Sequence, residues 1–146
     1  MEINIGFIIS GLISNDLYLG GLITTELSFK NHLNLLSSLL RYRLISSAFK
    51  WQECITRIEK MNNIIIELNH LEEFRNKIIH SWYMENDLTD KPHRIKTSAK
   101  RKNWLKIQSE PIESQELLSH ISSSITIMDE LNKLAKEAYP PGFSLR

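Results

Sequence analysis

An all-α bundle of about four to five helices, with one short polar insertion ahead of the last helix, is the architecture this chain predicts. Three observations lead there. Apolar residues recur in steps of three and four along three separate stretches. The interval between Trp82 and Pro111 loses that period and is rich in turn formers. The 146 residues, 42% hydrophobic and 24% charged, describe one globular domain over 1–146, apolar enough to build a core and too apolar for a disordered chain.

The first apolar run, Ile5 to Ile13, has nine residues including two glycines and a serine. It is far short of the roughly 20 that span a membrane, so it reads as a short opening helix and no membrane partner is expected. Ser14 and Ser28 stand where N-caps belong and predict helices over about 15–25 and 29–45. In the second of these, Phe29, Leu33, Leu36, Leu40 and Leu44 form the buried stripe. Gly20-Gly21 either allows close packing or breaks the first helix. From Ser47 to His80, Trp51, Ile55, Ile58, Met61, Ile65, Leu68, Leu71, Phe74 and Ile78 keep helical spacing. A rod of that length, about 51 Å, is long for so small a domain and predicts a break near Asn62-Asn63 or Asn69. The last helix carries Leu118, Ile121, Ile125, Met128, Leu131, Ala135 and Ala138 and is closed by Pro140-Pro141-Gly142. Within the insertion, about 84–110, Arg94–Thr97 and Asn103–Ile107 alternate in the manner of a hairpin.

Cys54 is the single cysteine, so no intrachain disulfide or thiolate zinc site can form. The composition fits a reducing cytoplasm, and Cys54 reads as a small buried hydrophobe. The start Met1-Glu2-Ile3-Asn4 lacks the basic segment of a secretory signal, which again predicts a cytoplasmic protein. No glycine-rich phosphate loop, nucleophile elbow or His-Glu-x-x-His motif is present. Glu67 and His70 match the Glu-x-x-His spacing of di-iron bundles, but Glu116 and His120 are four apart and make no second copy, so neither metal nor cofactor is expected.

The formal net charge of +1 hides an uneven distribution. Seven basic residues, Lys91, Arg94, Lys96, Lys100, Arg101, Lys102 and Lys106, fall in a stretch with no acid between Asp90 and Glu110, leaving 11 basic against 17 acidic residues elsewhere. With Trp104 inside it and Trp82 and Tyr83 just before, such a segment suits a single-stranded nucleic acid, cations meeting phosphates and rings stacking on bases. A solvated basic loop has the same composition.

Chemistry concentrates at Glu73–Tyr83. Arg75 and His80 are separated by four residues, Asn76 follows the arginine, and Asn76 and His80 stand at i and i+4, where the amide can orient the imidazole. An arginine fork grips phosphate, and histidine exchanges protons near neutral pH. The plain alternative is a solvated Arg75 and a His80 favoured by its place at a helix C-terminus.

Arg75-Asn76-Lys77-Ile78-Ile79-His80 resembles the Arg-polar-x-x-x-His motif of the HEPN superfamily, small helical bundles that are often RNases of toxin–antitoxin, antiphage and RNA-processing systems. The order of elements around the motif is similar too, as is Leu27–Leu33, where Phe29 and Lys30 precede a leucine-rich helix. The resemblance implies a HEPN-like bundle and a metal-independent endoribonuclease in which the RNA 2′-OH attacks the adjacent phosphorus. His80 would move the proton, Arg75 would stabilise charge on the phosphoryl oxygens, and Asn76 would hold His80. Lys77, Tyr83, Arg94, Lys96, Lys100, Arg101, Lys102 and Trp104 would contact RNA. A homodimer would bring two motifs into one composite site, and an antitoxin or defence-complex subunit would be a further partner. The alternative within the family is a non-catalytic module that binds RNA or protein. One departure is Trp82, which stands where nucleotidylated relatives carry tyrosine; Tyr83 comes one place later.

Overall fold

A computed structural model of the chain describes residues 2–13, 17–46, 50–86, 91–100 and 103–139. Among them are five helices, α1 (Glu2–Ile13), α2 (Leu17–Thr24), α3 (Phe29–Ser46), α4 (Trp51–Ile79) and α5 (Ser114–Ala138). Three strands, β1 (Trp82–Asn86), β2 (Lys91–Lys100) and β3 (Asn103–Pro111), intervene between α4 and α5. The chain is mostly helical, as its periodicity predicts. Ser14 and Pro140-Pro141-Gly142, read as a cap and a stop, lie outside the described residues, as do Arg101 and Lys102.

Residues 1–69 and 124–146 form one unit and 70–123 a second. The first holds the core. Ile5, Ile8, Ile9 and Leu12 of α1 pack with the whole α3 stripe, with Met61, Ile64 and Leu68 of α4, and with Leu131, Leu134, Ala135 and Ala138 of α5. Each such Leu, Ile, Met or Phe side chain, withdrawn from water, contributes about 1.5–3 kcal/mol before entropy is charged against it. The ends are tied as well. Ser28 caps α3 from the position before it, its hydroxyl accepting from the Asn31 amide at 3.4 Å, and Arg43 donates through Nε and Nη2 to the Leu12 carbonyl at 3.1 and 2.7 Å, closing the last turn of α1. Arg57 of α4 meets Glu137 of α5 at 2.6 Å. The carboxylate's hydrogen bond raises the guanidinium pKa above its usual value.

The break expected near Asn62-Asn63 or Asn69 does not occur, and α4 runs unbroken for 29 residues. Asn62 and Asn63 face water, the Asn69 side-chain amide donates back to the Ile65 carbonyl at 2.9 Å, and Met61, just before them, and Ile64 and Leu68, between them, are buried. Core packing outweighs the low helix propensity of asparagine. Likewise α2 continues through Gly20-Gly21.

The second unit is the end of α4, the sheet and the start of α5. The expected hairpin is present as β2–β3, and β1, which the alternation did not reveal, adds a third strand in the antiparallel order β1-β2-β3. Arg94 stands opposite Tyr83 on one side and Glu110 on the other. The β2–β3 register is irregular between Ser98 and Lys100.

Candidate functional site

Beyond the buried Leu71, the end of α4 carries Asn76 and Lys77, both exposed, and His80, also exposed, follows directly after the helix. That end is closed locally. The His80 amide donates to the Asn76 carbonyl at 3.0 Å, the Ser81 hydroxyl to the Lys77 carbonyl, and the Tyr83 hydroxyl to the Ile78 carbonyl at 2.5 Å. Carbonyls orphaned by the helix end are thus satisfied, and His80 sits where helix gives way to strand.

His80 opens on a cleft of about 580 Å3 within the second unit, lined by Asn76, Lys77 and His80 of the motif together with His70, Glu73 and, from α5, Glu116 and His120. Phe74 also lines it and stacks on His120, ring centroids 3.5 Å apart and planes 15° from parallel. That contact orients the second imidazole against α4. The cleft therefore gathers three imidazoles, two carboxylates and one ammonium group. Among the described residues no three such ligands are placed to hold a metal ion. Proton exchange through the imidazoles and anion contact through Lys77 are the chemistry it offers.

Arg75 is not part of this lining. Five helical positions rotate a side chain by about 140° relative to His80, toward the opposite flank. There Arg75 Nη1 meets Glu72 at 3.0 Å, with its side chain 47% exposed. Exposed pairs of this kind are worth at most about 1 kcal/mol, weak enough for a phosphate to displace.

The expected RNA contacts divide in the same way. Arg94 is only 4% exposed, and its guanidinium is held by Glu110 across the β2–β3 ladder. The reason is register: the first acid after the basic stretch falls directly opposite Arg94. Tyr83 keeps an exposed ring while its hydroxyl is engaged by Ile78. Lys96 and Lys100 lie on β2 and Trp104 on β3.

His70, Glu116 and His120 were not singled out from the sequence as members of this site. The signal was present only in pieces: His70, Phe74, Lys77 and Ser81 follow helical spacing, and Glu116 and His120 are i and i+4. What joins the pieces is the packing of Phe74 on His120. Comparison with protein-family models, with curated proteins and with solved structures found no match to this chain.

Proposed function

We propose that this chain is an endoribonuclease acting without a metal ion, with His80 at the centre of its site. The observation that carries the reading is the convergence of His80, Asn76, Lys77 and His120 on one cleft. In the reaction the RNA 2′-oxygen bonds to the adjacent phosphorus as the bond from phosphorus to the 5′-oxygen breaks. Neutral His80 takes the 2′-OH proton, and protonated His120 gives one to the leaving 5′-oxygen, so a 2′,3′-cyclic phosphate and a 5′-OH result. Lys77 holds the phosphate, Asn76 orients His80, and Arg75 leaves Glu72 to meet charge building on the phosphoryl oxygens. DNA, without a 2′-OH, is not a substrate.

The resemblance of Arg75–His80 to the HEPN motif supports the reading independently of the cleft, and it suggests a second source for the acid, the His80 of another copy in a homodimer. An exposed apolar row on α5, Leu118, Ile121 and Ile125, favours such self-association. The resemblance also suggests a toxin–antitoxin or antiphage setting with a protein that restrains the activity.

The test is cleavage of single-stranded RNA in EDTA. Wild type should leave cyclic-phosphate ends, His80→Ala should abolish cutting, and Arg75→Ala and Lys77→Ala should weaken it by about tenfold or more. Loss of cutting in His120→Ala places the acid in the same chain, whereas full activity assigns it to a second copy. Wild type that binds diverse RNAs without cutting any would make the chain a binding module.

A further inference from the structure

A second cleft, in the first unit and independent of the RNA reading, lies among α1, α2 and the start of α3. It encloses about 370 Å3, within the range of small-molecule sites. Its rim is apolar, with Ile3 and Phe7 both exposed. Its polar groups mostly have protons already committed. The Ser10 hydroxyl donates to the Gly6 carbonyl at 2.8 Å and the Thr25 hydroxyl to the Gly21 carbonyl at 2.7 Å, so toward the cleft both oxygens offer only lone pairs.

His32 is the exception to this internal satisfaction. It lines the cleft at 7% exposure, and its Nδ1 is buried without a hydrogen-bond partner. Folded proteins rarely leave such an atom unpaired. With the ring proton on Nε2, Nδ1 is an acceptor, as are those hydroxyl oxygens. Among the described residues no Asp, Glu, Lys or Arg lines the cleft, so there a charged ligand would find no counter-charge.

Gly21 is the second clue. Glycine is a poor choice inside a helix, and here close packing does not demand it, because a Cβ at Gly21 would meet nothing within 4 Å. Its effect is to leave the cleft open.

We propose that this cleft binds a small neutral aromatic molecule bearing a ring N–H or a hydroxyl. The ring lies against Ile3 and Phe7, and the polar hydrogen is donated to His32 Nδ1, which is closed to water in the empty cleft and is reached as the imidazole turns toward the ligand.

Indole is the probe, followed through the His32 imidazole resonances of the intact chain by NMR titration. Saturable shifts are expected, with benzene, which lacks the donor, and indoleacetate, which adds a charge, each binding about tenfold more weakly. Gly21→Leu should fill the cleft and abolish the shifts while melting no lower than wild type. Unmoved His32 resonances up to the solubility limit of indole would mean that the cleft holds water only and would overturn the proposal. So would equal binding of benzene, or indole binding undiminished in a folded Gly21→Leu protein. The wild-type titration decides the matter should that variant fail to fold.

Discussion

Residues that look alike in the sequence differ by what meets them. Arg75 and Lys77 are both basic, both on the last turns of α4, yet Lys77 lines the His80 cleft and Arg75 pairs with Glu72. That difference was legible, since helical rotation alone separates the two. The place of His120 in that cleft was not, because it depends on Phe74, a partner brought near only by packing between α4 and α5. Tyr139 shows the same dependence on surroundings. Half-buried against the core, its phenol is pushed above its ordinary pKa by desolvation. The unfolded chain ionises that phenol near pH 10 and the folded chain only at higher pH. The neutral ring's contribution to stability is therefore whole below about pH 10 and is lost as pH rises through the folded value. Tyr139→Phe should accordingly gain on wild type in urea-unfolding free energy above about pH 10. Parallel stability curves across that range would contradict the assignment.

Among the elements, periodicity located every long helix but did not say how much of each stripe is covered. All five members of the α3 stripe are buried, whereas the α5 stripe splits into exposed Leu118, Ile121 and Ile125 and buried Leu131, Ala135 and Ala138. Spacing shows that residues share a face; it does not show where the neighbouring layer ends. Leu68→Ala, in the fully buried part of α4, should cost about 2–5 kcal/mol, while Leu118→Ala should stay within about 0.5 kcal/mol at concentrations where the chain is a monomer. Urea denaturation of the two variants measures both. A large loss from Leu118→Ala would instead reveal that α5 is covered by another copy of the chain in solution. The unbroken α4 and the added strand β1 have one explanation. Local signals, asparagines in the first case and a five-residue run with little alternation in the second, yield to burial and to pairing with a neighbour.

For the molecule as a whole, the hydrophobic core and the histidine cleft belong to different units, the first built from 1–69 and 124–146 and the second from 70–123. Composition alone could not separate them, because a single percentage averages a core-rich segment with a polar one. Net charge averages in the same way, setting a basic insertion against an acidic remainder. The burial of Arg94 against Glu110 then has a consequence that can be counted in ions. Of the seven basic residues between Lys91 and Lys106, one is already neutralised within the sheet, so six at most can displace the cations condensed on an RNA strand. Contacts from this insertion should give a plot of log affinity against log salt no steeper than about −4, and Arg94→Gln should leave that slope unchanged.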